Sequence, residues 1–398
     1  MSGDETRIQR VRAERFGAIV QTVAPHALVS VDRAMARRLG ADGGALWEGP
    51  SPGLAVPVLT APTEVHVAAT DRCPAGCKSC YADARPDGHE PSFAEVAARL
   101  DELASMGVLA VAFGGGESGL REDLPELAAH ARSLGMTPTL TTSGLGITDE
   151  RARRLSVMAQ VNVSYDGSGS TYVEVRGYRG AASAERAMQA LRGAGVRFGV
   201  NTVLTRRSFS RLGETAARAA ALGAAEIQLL RFKPAGRGRL DYLAERLSEE
   251  QIRELPERLR ALVLERALGV RIDCALVPFL TGDSSIAPES LTRLGVMGCE
   301  AGRSLMAVRA DGTSAPCSFW RESEPMPSGR PVGPRAAWRE SSSLERARAH
   351  HAAPPMPCAE CPYRAACRGG CRIVAEHLSG DWHAPDPECP RVRDYQRA

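Results

Sequence analysis

The chain has 398 residues, with 50 basic and 47 acidic side chains and an aromatic content of only 5%. That length accommodates two or three domains, while a nucleic-acid surface, which needs clustered basic residues with interleaved aromatics, is excluded by so balanced and aromatic-poor a composition. No apolar run approaches the roughly 20 residues that span a bilayer, and the N-terminus "MSGDETRIQRVRAERFG" lacks the apolar stretch of a secretion signal, so the expected location is the cytoplasm, with no membrane partner.

In chain order, "RFGAIVQTV" and "ALVSVD" flank Ala24-Pro25-His26 and predict a β-hairpin, followed by a short helix from Arg33 to Leu39. From about residue 63, apolar runs alternate with helix-like stretches, the signature of βα units on a parallel sheet. "EVHVAAT" is the first strand. The helix after it begins at Ser92, where Ser92 and Glu95 have capping-box spacing; Val96, Leu100 and Leu103 form its apolar stripe and Gly107 ends it. Five more strands follow in "VLAVAFGG", "TPTLTTSG", "AQVNVSYDG", "VRFGVNTVLT" and "AEIQLLRFK", with the clearest helical patterns over 184–193, 210–222 and 248–266. Six strands are too few for a closed eight-stranded barrel, so the expected fold is α/β, a partial (β/α)6 barrel. After about residue 281 the pattern dissolves into loops, with a Pro-, Ser- and Arg-rich stretch from Arg321 to Pro357. The expected division is an N-terminal hairpin extension over 1–62, the barrel over 63–280 and a loop-rich domain over 281–398.

Eleven cysteines in a reducing compartment point to metal or redox chemistry rather than disulfides. Ten of them fall into two spaced groups. The first, Cys73, Cys77 and Cys80 in "CPAGCKSC", follows a strand directly. A structural zinc site wants four ligands, which His66 or His89 would complete. The alternative is a four-iron cluster on three thiolates, whose fourth iron stays open to the amino and carboxylate groups of S-adenosylmethionine. The second strand then ends in Gly114-Gly115-Gly116-Glu117, where glycines let the backbone approach a ligand and Glu117 adds a carboxylate.

In these two motifs, at successive strand ends, the sequence resembles the radical SAM superfamily. The resemblance continues through "VNVSYDG", with Ser164 and, twelve residues on, Arg176, and through Asn201 in "VNTVLT" and Arg231 in "LLRFKPAGRG". It implies that Gly114, Gly115, Gly116, Glu117, Ser164, Arg176 and Asn201 bind S-adenosylmethionine; Ser164 and Asn201 also read as ordinary strand-end polar residues. Ser79 stands where relatives usually carry an aromatic or histidine, shifting the packing role to Tyr81, and Ser118 replaces a frequent proline.

The second group is Cys299, Cys317, Cys358, Cys361, Cys367, Cys371 and Cys389. Its spacing resembles the seven-cysteine SPASM domain found behind many such barrels. That resemblance implies two auxiliary 4Fe-4S clusters, the first on Cys299, Cys317 and Cys371, the second on Cys358, Cys361, Cys367 and Cys389. A four-thiolate zinc site over Cys358 to Cys371 is the competing reading. Seven thiolates are one short of two fully ligated clusters. Cys274 is therefore the eighth ligand, a catalytic redox or acid–base thiol, or a buried apolar residue.

By resemblance, the chain is an enzyme that cleaves S-adenosylmethionine reductively and abstracts hydrogen from a substrate. The commonest such task is crosslinking a ribosomally made peptide, served here by a separate leader-recognition protein and a flavodoxin- or ferredoxin-type electron donor. The alternative substrate is a small molecule such as a tetrapyrrole precursor. Sulfatase maturation ranks low, because its aspartate after the "PC" cysteine is here Ser318. A non-catalytic metal scaffold is opposed by the intact Cys73, Cys77, Cys80 and Glu117.

Overall fold

The computed structural model describes residues 7–23, 26–53, 56, 58–265, 267–321 and 331–398. Its N-terminal unit is a three-stranded antiparallel sheet, β1 (Ile8–Glu14), β2 (Gly17–Val23) and β3 (His26–Asp32). The expected hairpin is β2–β3, and β1 is an addition to it. The Ala24-Pro25 turn lies outside the described residues. The period-two signal in "IQRVRAE" was masked by its arginines, but Arg12 has a structural task. Its guanidinium donates to the carbonyls of Ala61, Pro62 and Gly107 at 2.8–2.9 Å, and Gln21 reaches the carbonyl of Leu109 at 3.0 Å. These contacts fasten the small sheet beneath the barrel, at the N-terminal ends of its strands.

The barrel strands are β4 (Glu64–Thr70), β5 (Ala110–Gly115), β6 (Thr137–Thr142), β7 (Gln160–Ser164), β8 (Phe198–Leu204) and β9 (Glu226–Arg231), all parallel and neighbouring in chain order as expected. Among the described residues the sheet has nine strands, three more than the expected six. β10 (Gly269–Ile272) adds to β9, β11 (Leu305–Val308) adds in parallel to β4, and β12 (Ser314–Ala315) pairs with β11; the sheet stays open. Strand alternation separates two environments. Val65, Val67 and Ala69 are buried under the helices, together with Val96, Leu100 and Leu103 of the Phe93–Met106 helix, whose capping box at Ser92 and Glu95 is formed. Glu64, His66 and Ala68 face the opposite way, into the hollow. A network of Gln160, Glu226 and Arg271, with contacts of 2.8–3.0 Å, spans the lower end of that hollow.

The C-terminal region holds more regular structure than its composition suggests. Helices cover Pro288–Arg293, Pro334–Glu340, Ser342–Ala352, Arg372–Ser379 and Pro390–Arg397. The expected loop from Arg321 to Pro357 is thus largely helical after residue 333, while 322–330 lie outside the described residues. Short Arg-rich helices show little apolar stripe of their own; Trp338 and Leu344 give them an anchor by packing into the barrel core with Met306 and Val308.

Candidate functional site

Cys73, Cys77 and Cys80 lie on the loop that leaves β4, all partly exposed. The loop is fixed through its backbone. Cys73 N–H donates to the Arg85 carbonyl at 2.8 Å, Lys78 N–H to the Arg176 carbonyl at 3.0 Å, and Arg237 donates to the carbonyls of Cys77 and Cys80 at 3.0 Å. The sequence reading did not single out Arg237. Burial, with Glu117 and the other two thiols nearby, pushes Cys73 up to about 11; burial also raises Cys77, although Arg176 pulls against it. Thiols crowded in this way ionise when a metal takes the thiolates, so binding would release protons.

The glycines after β5 have a measurable reason. Gly115 adopts φ +102° and a Cβ there would stand 2.5 Å from the Thr70 carbonyl oxygen, while one on Gly116 would stand 2.2 Å from that of Arg72. Both allow the ends of β4 and β5 to close on each other. Gly114 differs, since its missing Cβ would meet only the Tyr81 hydroxyl, at 3.9 Å, which leaves room for a ligand. Glu117 is buried and accepts from Thr142 Oγ1 at 2.5 Å, Ser143 N–H at 2.7 Å, Gly119 N–H at 3.2 Å and the Ser143 hydroxyl. A carboxylate has about four acceptor positions, so Glu117 is engaged as a brace between the β5 and β6 loops. Desolvation raises its pKa despite those bonds.

Ser164 and Asn201 end up side by side across β7 and β8, both buried. Asn201 Oδ1 has no hydrogen-bond partner, a costly state for a buried acceptor unless a ligand supplies the donor. Arg176 ion-pairs with the fully buried Asp166, which also accepts from Val203 N–H at 2.6 Å. Burial lowers the Arg176 pKa, but the Asp166 charge outweighs it and holds the guanidinium cationic beside Cys77. The unpartnered Asn201 and the open side of Gly114 fit a bound S-adenosylmethionine. His66 does not join the thiols: both ring nitrogens are taken, by Ser318 at 2.7 Å and Glu64 at 3.0 Å.

The later cysteines separate into two fours. Burial and mutual repulsion with Cys299 and Cys371 push Cys317 up to about 12. Cys274 is raised by burial, by Asp273 and by the same two thiols, with Lys233 opposing. The other set is Cys358, pushed up to about 11 by burial and by Cys389 and Cys361, together with Cys367, which is raised by burial and by all three of those thiols. This second set lines a cavity of about 300 Å³ with Gly369, Gly370 and Tyr395. Among the described residues no three His, Cys, Asp or Glu side chains converge as ligands of a single ion would.

Arg231, at the end of β9, locks the barrel to this region. It forms a two-pronged pair with Asp386 at 2.6 and 3.1 Å and a further bond to Glu388 at 2.7 Å; Asp386 in turn accepts Cys371 N–H at 2.9 Å. Lys233, two residues on, pairs with Asp273 beside Cys274 and lies 4.2 Å over the Phe319 ring. Phe319 packs 4.8 Å from Tyr81, the residue after Cys80, so an aromatic contact joins the two cysteine regions.

Residues 67–219 match the Radical SAM superfamily. The chain is 31% identical over 345 residues to the mycofactocin maturase MftC of Mycolicibacterium smegmatis, covering 83% of both chains. It is 28% identical to a PqqA peptide cyclase of Methylocella silvestris, covering 82% of this chain and 87% of that one. Identity to the Fe-coproporphyrin III synthase of Methanosarcina barkeri is 29%, covering 80% and 86%. Streptococcus suis SuiB bound to its precursor peptide SuiA has the same fold, with a TM-score of 0.73 at 17% identity over 96% of this chain and 98% of that one. With its thiols divided between the barrel mouth and a C-terminal region of SPASM type, the chain belongs to the radical SAM superfamily.

Proposed function

We propose that this enzyme crosslinks side chains of a ribosomally made peptide. Three thiols at the mouth of an open barrel, beside the unpartnered Asn201 and the open Gly114, are the observation that carries the reading, and the peptide-modifying names of its relatives support the substrate class. Bound S-adenosylmethionine supplies a 5′-deoxyadenosyl radical on one-electron reduction. Cys73, Cys77 and Cys80 would hold the cluster it binds. Gly114, Ser164 and Asn201 would hold the methionine and ribose portions, with Gly115, Gly116 and Glu117 shaping the wall and Arg176 keeping positive charge beside Cys77. The barrel hollow then holds the target C–H in place and excludes water.

Cys274, Cys299, Cys317 and Cys371 would hold one auxiliary cluster and Cys358, Cys361, Cys367 and Cys389 the other, so Cys274 acts as a ligand rather than as a free catalytic thiol. The segments 1–62, 63–280 and 281–398 serve as support, radical chamber and auxiliary-cluster region. A separate leader-recognition protein and a flavodoxin- or ferredoxin-type donor complete the system, in the cytoplasm. Among the described residues no helix is long and apolar enough to cross a membrane.

The test is anaerobic incubation of the reconstituted enzyme with S-adenosylmethionine, dithionite and the peptide encoded by a short reading frame beside the gene. Deoxyadenosine and a peptide lighter by two hydrogens are expected. Deoxyadenosine with an unchanged peptide and turnover of a porphyrin precursor would transfer the reading to a small-molecule substrate, which the coproporphyrin-synthase relative also fits.

A further inference from the structure

Of the arginines buried among the described residues, Arg121 pairs with Asp123 and Arg231 with Asp386 and Glu388, but Arg372, at 2% exposure, meets no carboxylate. Its Nη1 donates to the carbonyls of Trp382 at 3.1 Å and Ala384 at 2.5 Å and to His350 Nδ1 at 3.3 Å, and Nη2 donates to the Gly369 carbonyl. Carbonyl dipoles orient a guanidinium without cancelling its charge. A guanidinium only donates, so His350 accepts on Nδ1 and is itself neutral. The buried Nε–H of Arg372 has no acceptor among the described residues. A buried cation without a counter-charge is costly, and so is an orphaned buried donor. The surroundings of Arg372 therefore call for negative charge that no carboxylate supplies.

Thiolates are placed to supply it, because Arg372 lies on the turn that joins the two later cysteine sets. Cys371 precedes it, and its contact Gly369 belongs to the wall of the cavity that Cys358, Cys361, Cys367 and Cys389 line. On the other side, a Cβ on Gly298 would stand 1.9 Å from the Cys367 carbonyl oxygen, and Gly298 N–H donates to the Ala366 carbonyl at 2.7 Å. The chain leading into Cys299 thus runs flat against the same turn. The electrostatics agree with that placement: burial raises the Cys299 thiol of one set and the Cys358 thiol of the other, and the Arg372 charge pulls against it in both.

We propose that Arg372 is a counter-charge shared by the two auxiliary clusters, holding both at a higher reduction potential than their thiolates alone would set. This rests on the two-cluster reading above. Thiolate ligands leave such a cluster with surplus negative charge, and each added electron increases it. A fixed cation between the two sets stabilises the reduced form of either more than the oxidised form. The signature of such a residue is a potential rather than a rate.

EPR-monitored redox titration of the reconstituted holoenzyme tests it, with iron content measured on the same samples. A unit charge roughly 10 Å from a redox centre, at an effective dielectric of about 20, is worth more than tenfold in an equilibrium. Arg372→Gln should therefore lower the potentials of both auxiliary clusters by about 59 mV or more, tenfold for one electron, and leave that of the Cys73, Cys77 and Cys80 cluster in place. Arg372→Lys keeps the charge but not the planar fork, and should stay within about threefold of the parent. His350→Asp and His350→Asn make the same test without touching Arg372, since the two side chains share one shape and only the aspartate puts a carboxylate where Nδ1 accepted. His350→Asp should lower both potentials about tenfold relative to His350→Asn. That pair decides the matter where Arg372→Gln loses its auxiliary iron. Equal potentials in the aspartate and asparagine variants overturn the proposal, as does a shift confined to one auxiliary cluster. A parent protein that reconstitutes with only one cluster's worth of iron sinks the two-cluster reading instead.

Discussion

Cys73, Cys77 and Cys80 sit partly exposed on a loop held by backbone contacts, whereas Cys299, Cys367, Cys371 and Cys389 are buried among short helices tied together by ion pairs. The first set has three thiols and an open side formed by Gly114, while Cys358, Cys361, Cys367 and Cys389 line a cavity of about 300 Å³ of their own. A site that must admit an outside ligand is best fixed by groups that do not fill it, and carbonyl contacts to Arg237 and Arg85 do that. A site that only has to retain its cluster can be walled in, and then the surrounding fold depends on it.

The comparison breaks first at the mouth. Replacing Cys73, Cys77 and Cys80 together with alanine should abolish deoxyadenosine formation and remove one cluster's worth of iron, with both auxiliary EPR signals retained. Loss of all iron would show that the two regions do not fold independently. In the closed region the largest expected effect on stability comes from Arg231→Met. It leaves the buried Asp386 carboxylate without its guanidinium, while Glu388 keeps Arg246 and the Tyr242 hydroxyl, and losing one partner of such a pair costs about 3–5 kcal/mol. Chemical unfolding of the reconstituted protein, with iron analysis, checks it: auxiliary iron should be lost more readily than that of the mouth.

A pH dependence sharpens the contrast. His350 is fully buried beside Arg372, and burial first, then Arg372 and the neighbouring histidines, lower its pKa to about 2. The folded protein thus keeps it neutral while the unfolded chain takes up its proton near the ordinary value of about 6.5, so stability is lost as pH falls below that value. Between pH 7 and 5 the loss from this residue is about 2 kcal/mol. His350→Gln should flatten the pH slope of unfolding by that amount, measured by denaturant titration at the two pH values.

The barrel was legible because β4 to β9 are apolar runs of strand length separated by amphipathic helices, and because a capping box at Ser92 and Glu95 is a local signal. β10, β11 and β12 were not legible, being four, four and two residues long and strand-like only because a neighbouring edge supplies their hydrogen bonds. The cysteines announced themselves by spacing. Their supports did not: Arg237 holds the Cys77 carbonyl 160 residues away in the chain, and Asp386 lies 155 residues from Arg231, so no local pattern marks either. The same distance let His66 stand as a candidate fourth ligand in the competing zinc reading, since its partner Ser318 is 252 residues away in the chain.

The smallest expected effect falls on Cys274, the residue that decides whether the first auxiliary set is a closed four or an open three like the mouth. Its thiol faces Cys299 and Cys371, and Lys233 supplies the positive charge that a thiolate there needs. If it is a ligand, Cys274→Ala exchanges a thiolate for water or an open iron, which changes the potential of one cluster because ligand identity sets it. The expected outcome is an altered EPR signal for that cluster alone, with iron content nearly unchanged and deoxyadenosine still produced. Cys299→Ala, made in parallel, should perturb the same signal and leave that of Cys358, Cys361, Cys367 and Cys389 untouched. A Cys274→Ala protein with the parent spectrum would make the set an open three, and Cys274 a half-buried thiol serving only to pack beside Asp273.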